Sequence, residues 1–330
     1  MNNYIVVTDY LAADGKTDLS DAIQRIIDEN PNRTIYFPDG TYLISKPICT
    51  PADPSKSVDL QLSNFAVIKA SEDWDSDEAM IRLGGKDAFN SIRTNGSNYS
   101  LTGGIIDGSG VAKGVSIDSG RETAVRRVSI KHVKVGLHIK WGVNSGSSDA
   151  DISEVHIVGN KAPDSIGVLV EGYDNTLTDM RITDVFTGVD LRVGGNYLRY
   201  LHPLYSLDYK NYENACAFLD HSGDNWYNHC YSDQYGVGYR IMNSGKSVLD
   251  SCRAFWYSPR GKNHTAIHAA GMFNSIFNNF SSHFKKDEGM YNRLLAVDEA
   301  GGKGHINNAL VDESLIHDDV YKEYVQGAII

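Results

Sequence analysis

The first 46 residues alternate between short apolar runs and clusters of turn-forming residues. Residues 4–7 form a β-branched run that predicts a strand, and a turn at residues 14–16 precedes Thr17 and Asp18, either of which suits a helix N-cap. Residues 34–37 and 41–44 predict two more strands around a turn at residues 38–40. Between them, apolar side chains recur at helical spacing at Ala22, Ile23, Ile26 and Ile27. The pattern predicts one short amphipathic helix among strands.

From about residue 65 the chain repeats a pair of short strands joined by a turn that contains Gly or Asn. The first strands of successive pairs recur about every 23–27 residues, which is the period of one unit per turn of a solenoid. Because each coil buries its apolar interior only by stacking on its neighbours, the repeat predicts one cooperative stack. Clear pairs are Val128-Ser129-Ile130 with Gly136-Leu137-His138-Ile139, Val155-His156-Ile157 with Gly167-Val168-Leu169-Val170, Met180-Arg181-Ile182 with Gly188-Val189-Asp190-Leu191, and Cys230-Tyr231-Ser232 with Gly238-Tyr239-Arg240-Ile241.

Two other fold classes fit this pattern less well. A β-propeller or β-sandwich would have antiparallel hairpins with two-residue Asn-Gly or Asp-Gly loops, whereas the strands here are too short and too evenly spaced. A doubly wound α/β fold would need a helix after each strand, and only one clear helix is predicted before the C-terminus. The chain is therefore predicted to be all-β.

Three sequence strings resemble the pectate-lyase-like superfamily: D-G-K-T-D-x-x-x-A-I-Q at residues 14–24, I-Y-F-P-D-G-T-Y-L-I at 35–44 and G-G-I-I-D-G-S-G at 103–110. That superfamily includes polygalacturonase-like hydrolases, lyases, epimerases, fructan-transforming enzymes and phage tailspike depolymerases. The resemblance implies a right-handed single-stranded parallel β-helix with an N-terminal capping α-helix, and it implies a carbohydrate substrate. We predict one β-helix domain over residues 1–330, with the cap and first coil at 1–50, coils at 51–311 and a C-terminal cap or tail at 312–330.

Composition narrows the set of partners. The formal net charge of −11 argues against nucleic acid and mildly against polyanionic substrates, unless local basic pockets are present. The four cysteines form no C-x-x-C pair, and Cys230 and Cys252 lie about one repeat apart, so we predict free buried thiols.

No segment approaches 18 apolar residues, which argues against a membrane span. No signal peptide is recognisable, so the expected locations are the cytoplasm, a phage virion, or outside the cell after removal of a leader.

The short catalytic strings of the polygalacturonase-like hydrolases are not intact in this chain. Neither N-T-D nor G-H-G is found, and Gly238-Tyr239-Arg240-Ile241 is only loosely similar to R-I-K. The calcium-dependent pectate-lyase pattern is also missing. We therefore expect no cofactor and no metal site, and the use of Ca²⁺ stays open if the enzyme is a lyase. The resemblance assigns no catalytic residue.

Residues 196–264 are the best local candidate for a site, because they interrupt the repeat and are rich in charged and aromatic residues. Residues 196–220 lack clean alternation and predict a loop that bulges from the stack. Equivalent positions in adjacent coils lie about 4.8 Å apart, so carboxylates one or two coils apart could match the spacing that glycosidases need. The candidate catalytic residues are Asp184, Asp208, Asp233 and His229. The candidate substrate-binding residues are Trp226 and Trp256 as stacking platforms, and Arg240, Arg253 and Arg260 as ligands of carboxylates or hydroxyls. The competing interpretation is that the aspartates form turns, the tryptophans pack in the core and the arginines are solvated.

Three functions compete on these grounds. The leading one is a carbohydrate-active enzyme that cleaves a polysaccharide or oligosaccharide in a lateral groove, with glycoside hydrolase favoured over polysaccharide lyase. The alternative is a phage tailspike or surface glycan-binding fibre, with or without depolymerase activity. The third is a structural β-helix without a ligand. The expected partner is a polysaccharide or oligosaccharide, with no nucleic acid and no membrane. Trimerisation recurs in relatives of the fold, so a homotrimer is the oligomer to test for.

Overall fold

A computed structural model describes residues 4–87, 99–142, 146–206, 212–257, 263–284, 291–311 and 321–327, without the side chains of residues 291 and 321. The chain divides into two compact units, Met1–Thr176 and Leu177–Ile330. Each unit is built from parallel strands with right-handed connections, as the handedness of strand crossovers dictates, and is therefore a stretch of right-handed parallel β-helix. Among the described residues, no helix is long and apolar enough to cross a membrane.

The first unit contains one α-helix, α1, at Ser20–Glu29, and short 3₁₀ turns at Val7–Asp9 and Pro54–Lys56. Its strands are β1 Tyr4–Val6, β2 Asp14–Asp18, β3 Arg33–Phe37, β4 Gly40–Ile44, β5 Ile48–Pro51, β6 Val58–Leu62, β7 Ala66–Ala70, β8 Ala79–Lys86, β9 Ser100–Thr102, β10 Ile105–Asp107, β11 Lys113–Ile117, β12 Ser119–Arg121, β13 Ala124–Arg126, β14 Ser129–Val133, β15 Val135–Ile139, β16 Gly146–Ser148, β17 Asp151–Ser153, β18 His156–Gly159 and β19 Ile166–Val170.

These strands form three parallel ladders, to which successive coils contribute one strand each, and β12 and β16 form a separate parallel pair. The first ladder is β1–β3–β6–β9–β13–β17, the second is β2–β4–β7–β10–β14–β18, and the third is β5–β8–β11–β15–β19. In-register residues place like side chains on top of one another: Ile106 pairs with Ile68 on one side and Ile130 on the other, and all three are fully buried. The coil repeat predicted from the sequence is thus confirmed.

Helix α1 lies against β5. Ile23, Ile26 and Ile27 are buried, as the apolar pattern predicts. The side chain of Gln24 accepts the N–H of Cys49 at 2.8 Å and donates to its carbonyl at 2.9 Å, so it satisfies two backbone groups of β5. The predicted N-cap at Thr17 or Asp18 is wrong in position, because Leu19 holds the N-cap, although Asp18 Oδ1 still accepts the N–H of Ser20 at 3.0 Å. The role of the helix as an end cap stays a prediction.

The second unit contains a short helix, α2, at Tyr321–Tyr324 and a 3₁₀ turn at Tyr212–Asn214. Its strands are β20 Thr176–Thr183, which begins one residue before the unit, β21 Thr187–Leu191, β22 Tyr197–Leu204, β23 Cys216–Asp220, β24 Trp226–Asn228, β25 Tyr231–Asp233, β26 Val237–Met242, β27 Val248–Asp250, β28 Arg253–Trp256, β29 Asn263–Met272, β30 Ile276–Asn278, β31 Ser281–Phe284, β32 Tyr291–Glu299, β33 His305–Asn307, β34 Leu310–Val311 and β35 Val325–Gln326.

Three parallel ladders also organise this unit. The first is β22–β24–β27–β30–β33–β35, the second is β22–β25–β28–β31–β34, and the third is β21–β23–β26–β29–β32. Strand β22 is long enough to serve two ladders. The loop predicted at residues 196–220 is therefore wrong over Tyr197–Leu204, where side chains at Leu198, Leu201 and Pro203 point into the core, and over Cys216–Asp220, which is strand β23. Residues 207–211 lie outside the described residues.

A single residue with positive φ turns the chain between the first and second ladders of unit 2. The next residue is buried and apolar, which explains why Cys230 and Cys252 lie inside, each directly after such a turn. The cysteines of the chain are all free, as predicted. A non-glycine residue adopts this conformation at a cost, and short polar residues tolerate it best. The turn residues are Asp179, Tyr200, His229, Ser251, Asn279 and Asn308.

Candidate active site on the third ladder of unit 2

The third ladder of unit 2 aligns a column of outward positions. Asp190 of β21 pairs with Leu219 of β23, which pairs with Arg240 of β26 and then His268 of β29. The backbones pack closely beneath this column, since a side chain at Gly188 would place Cβ 2.5 Å from the carbonyl oxygen of Ala217. A small residue, glycine or alanine, is therefore needed at this position of each strand. It fixes the register between neighbouring strands and so the position of the outward side chain two residues later.

Asp190 is the least satisfied charged group of the column. Only 5% of its side chain is exposed. Oδ2 accepts long hydrogen bonds from Arg192 at 3.3 and 3.4 Å. Oδ1 lies 3.2 Å from Nε2 of His221, but the approach is too oblique for a hydrogen bond, and no other donor among the described residues reaches this oxygen. A buried carboxylate oxygen without a donor is costly, so a ligand or a small rotation of His221 would stabilise it.

His221 follows β23 directly and carries the second titratable group of the site. Its imidazole is 37% exposed, and Nδ1 has no hydrogen-bond partner within the part of the chain that the structure describes. Nε2 faces a carboxylate oxygen, and the neutral tautomer that carries its proton on Nε2 has its lone pair on Nδ1. His221 can therefore accept a proton from a molecule in front of the ladder.

Arg240 lies two coils from Asp190, a distance of roughly 9.6 Å along the ladder. Its Nε donates to Nδ1 of His268 at 3.1 Å, and Nε2 of His268 lies 3.1 Å from Oδ1 of Asp298. This series of contacts fixes the plane of the Arg240 guanidinium, while the two Nη atoms of Arg240 have no hydrogen bond to any described residue. A fixed, open guanidinium fork matches a carboxylate. Cys216 is adjacent, but burial raises the pKa of its thiol to about 11, which keeps it protonated.

The third ladder of unit 1 also carries charges, but these are mutually satisfied. Asp118 is almost fully buried and accepts from Arg82 at 2.6 and 2.9 Å and from Lys140 at 3.3 Å. Lys140 also contacts Glu78, and His138 contacts Glu171 at 2.9 Å. Because each buried charge has opposite charges against it, this network has the character of a structural ion cluster.

The predicted carboxylate ladder has a different register in the structure. The residue opposite Asp233 is Leu204, and Asp208 lies outside the described residues. Asp233 itself lies on the second ladder, 3.2 Å from Nε2 of His202. Asp184 has positive φ at the end of β20 and accepts a hydrogen bond from the hydroxyl of Ser206. The structure does not bring Asp184 or Asp233 to the third ladder.

The other predicted residues are spread over several faces. His229 is an exposed turn residue whose ring lies 5.2 Å from that of Tyr200. Trp226 is 43% exposed, but Tyr197 covers one face of its ring at 4.8 Å. Arg253 is exposed on the second ladder, 5.0 Å above the ring of Phe255. Arg260 lies outside the described residues, and of the predicted residues that the structure does describe, Arg240 alone reaches the third-ladder site.

Trp256 is not a sugar platform. Its side chain is fully buried, and Nε1 donates to the carbonyl oxygen of Tyr235 at 2.6 Å. It packs at 5.8 Å from His264 and 6.0 Å from Phe284 in the core of unit 2. The assignment to substrate binding is therefore wrong, and the competing interpretation as a core residue is correct for this residue.

The predicted site residues did not include Asp190, Arg192, His221, His268 or Asp298, although His221 falls within the candidate region at residues 196–264. A signal for the first of these is present in the repeat: when the second strands are aligned on their glycines, the same outward position holds His138, Asp190 and Arg240. No group of three or more His, Cys, Asp or Glu side chains among the described residues could hold a metal ion. The use of Ca²⁺ by a lyase stays a prediction.

Comparison with solved structures gives β-helix proteins of low sequence identity. ORF18 of Geobacillus virus E2 matches at 14% identity with a TM-score of 0.60, over 94% of this chain and 61% of that one, so the chain spans less than two thirds of the viral protein. PfbA, a surface adhesin of Streptococcus pneumoniae, matches at 13% identity and a TM-score of 0.64, over 99% and 93%. The family 28 exopolygalacturonase of Yersinia enterocolitica matches at 13% identity and 0.56, over 94% and 71%.

These structural likenesses establish the fold. No curated protein sequence matches the chain. The family model described as rhamnogalacturonase A/epimerase, pectate lyase-like, matches residues 4–198, which is more than half of the 330 residues and includes Asp190 and Arg192. The chain belongs to the pectate lyase-like rhamnogalacturonase A/epimerase family.

Proposed function

We propose that the chain is a carbohydrate-active enzyme that cleaves a uronate-containing polysaccharide by elimination on the third ladder of unit 2. The observation that carries this proposal is the buried Oδ1 of Asp190, which lacks a hydrogen bond and lies 3.2 Å from Nε2 of His221. Arg192 and Arg240 flank this pair. The family match supports a carbohydrate substrate, and the two guanidinium groups supply the local basic pocket that an acidic sugar needs despite the net charge of −11.

Elimination fits the site better than hydrolysis, which the sequence favoured. A glycosidase needs two carboxyl groups about 5 Å apart, or about 6.5–9.5 Å apart for inversion. The residues in register with Asp190 over the next three coils are Leu219, Arg240 and His268. Asp220 is fully buried, and Asp298, in β32 of the fourth coil, lies roughly 19 Å along the ladder. Among the described residues of this face, Asp190 thus has no second carboxylate within the distance that a glycosidase needs.

The roles follow from the geometry. Arg240 binds the uronate carboxylate and stabilises the negative charge that develops on it, while Arg192 stays hydrogen-bonded to Asp190. Nδ1 of His221 removes the proton from the carbon next to that carboxylate. The electron pair forms a carbon–carbon double bond, and the bond to the glycosidic oxygen breaks. That oxygen takes a proton from the imidazolium or from water. Asp190 orients His221 and stabilises its charged form.

The test uses a panel of polygalacturonate, alginate and neutral galactan, with two readouts on the same samples: reducing ends and the absorbance of unsaturated uronate. We expect both readouts to rise together on a uronate polymer only. His221→Asn removes the base and is expected to lower the rate at least about 100-fold, while His156→Asn, an exposed histidine of unit 1, leaves it unchanged.

Two outcomes would overturn this proposal. Reducing ends without the unsaturated product would make the protein a hydrolase. Binding to a polysaccharide without either readout would favour the alternative, a glycan-binding fibre.

A further inference from the structure

A second polar site lies at the far end of the first ladder of unit 2. It is a depression of about 540 Å³ lined by the side chains of Asp250, Asn278, Asn279, Asn307, Asn308 and Gln326, which we call the amide groove. None of these residues belongs to the third-ladder site. The backbone of Gly327, in the last described segment of the chain, completes its wall.

The sequence places these side chains in two rows. Asp250, Asn278, Asn307 and Gln326 pair in register along β27, β30, β33 and β35, so that they follow one another at about 4.8 Å over roughly 14 Å. Asn279 and Asn308 are the positive-φ turn residues directly after two of them. Asparagine tolerates this backbone conformation, and the turn therefore adds a second amide in consecutive coils.

The amides of the groove satisfy each other only in part. Asn307 Nδ2 donates to Asn278 Oδ1 at 2.9 Å, and Asn279 Nδ2 donates to Asp250 Oδ1 at 3.1 Å. These bonds leave Asn278 Nδ2, Asn307 Oδ1 and Asn279 Oδ1 without a partner among the described residues. The side-chain amides of Asn308 and Gln326 make no hydrogen bond there either. The groove thus presents open donors and open acceptors side by side.

The charge of the groove selects the class of ligand. Among the described residues that line the groove, Asp250 is the one acidic side chain and none is lysine or arginine. Both oxygens of Asp250 already accept amide hydrogens, from Asn279 and Asn228. An anionic sugar would meet a negative charge and no cation. A neutral polyhydroxyl compound offers hydroxyls that both donate and accept, which is the complement of alternating amide N–H and C=O groups.

The same face also offers apolar surface beside the amides. Val248 and Ile276 are in register with each other and with Trp226, and both are half-buried on the outer side of the first ladder. A pyranose has a face of C–H groups and a rim of hydroxyls, so one ring can contact this apolar column while its hydroxyls reach the amides. We propose that the amide groove binds a neutral glycan chain, apart from the site of cleavage.

This site goes beyond the proposed function, because it holds the neutral part of a polysaccharide and performs no chemistry. Its test is therefore a binding measurement. The purified chain is titrated calorimetrically with tetrasaccharides of galactose, glucose and mannose, and with tetragalacturonate as the charged comparison. We expect saturable binding of at least one neutral tetrasaccharide that changes little between low and high salt, because no ionic contact is involved.

Two substitutions locate the binding. Asn278→Asp and Asn307→Asp keep the shape of the side chain, remove amide hydrogens and add negative charge. Each is therefore expected to raise the dissociation constant at least about tenfold. Gln61→Glu, at an exposed strand position of unit 1, adds the same charge elsewhere and should leave binding unchanged. Cleavage of the uronate polymer should be unaffected by all three, which separates this test from the previous one.

The inference is overturned if no neutral tetrasaccharide binds, or if both variants bind as the parent does. It is also overturned if light scattering shows a stable oligomer that Asn278→Asp and Asn307→Asp dissociate, since a second copy of the chain would then occupy the groove.

Discussion

The surroundings of His264 predict that unit 2 loses stability at acid pH, when this buried imidazole must be protonated. The side chain is 1% exposed and lies among the rings of Tyr212, Trp256 and Phe284. Its Nδ1 donates to Oδ1 of Asn292 at 2.9 Å, while Nε2 has no hydrogen-bond partner among the described residues. Burial lowers the pKa of His264 to about 4, against smaller opposing effects of Asn292 and Glu213. A proton on Nε2 would be buried without an acceptor.

The sign of the pH dependence follows from this lowered pKa. Between pH 6.5 and pH 4 the unfolded chain binds a proton at His264 and the folded chain does not, so acid favours unfolding. The stabilisation is complete above about pH 6.5 and is lost as the pH falls to about 4. A pKa displaced from 6.5 to about 4 corresponds to about 3 kcal/mol, at 1.36 kcal/mol for each pKa unit.

The assay is urea unfolding at several pH values between 4 and 7, compared with His264→Gln. Glutamine can still donate to Asn292 but does not titrate, so the variant should lose less stability than the parent over this range, by about 3 kcal/mol. The carboxylates titrate in both proteins and cancel in the difference. His156→Gln replaces an exposed histidine of unit 1 and should behave as the parent does. Parallel pH curves for the parent and His264→Gln would refute this reasoning.

Three further predictions concern stability, and each is measured by urea unfolding. Asp220→Asn should lower the free energy of unfolding by about 2–3 kcal/mol. One oxygen of this buried carboxylate accepts from Tyr227 at 2.9 Å and Ser247 at 2.6 Å, and the other accepts from Gly223 and Asn225. A change below about 0.5 kcal/mol would contradict this prediction. Gln24→Ala should cost about 1–2 kcal/mol through its two bonds to Cys49, whereas the exposed Arg25→Ala should cost little; equal effects would count against the helix–strand contact. Trp256→Ala should cost about 3–5 kcal/mol and Trp226→Ala less than about 1 kcal/mol, and the reverse order would show that the core is misassigned.

The fold could be predicted because its signals are local and repeated. The apolar spacing of α1, the strands around Pro38-Asp39-Gly40 and the coil-length period are all properties of short segments. The buried face of α1 confirms the first, and the strand ladders confirm the other two. The error at Tyr197–Leu204 has a physical cause. A strand that serves two ladders changes its inward phase at the positive-φ residue Tyr200, so its pattern does not alternate cleanly.

The site was harder to predict because it depends on which face each strand presents. Trp226 and Trp256 both lie in aromatic clusters of the sequence, yet one is 43% exposed and the other is fully buried. Asp190 and Arg240 are separated by 50 positions but lie two coils apart on one column. His221 follows the strand and reaches Asp190 only through the coil stacking. Composition and residue spacing do not show which positions of successive coils are in register until the repeats are aligned on their glycines.

The most direct test of the account is product analysis of the parent protein and His221→Asn on a uronate polymer. The account predicts that the parent releases chains with an unsaturated terminal uronate, and that the variant folds, binds the polymer and releases these chains at least about 100-fold more slowly. Undiminished release by His221→Asn, or saturated products from the parent, would contradict the assignment of the third ladder of unit 2 as a site of elimination.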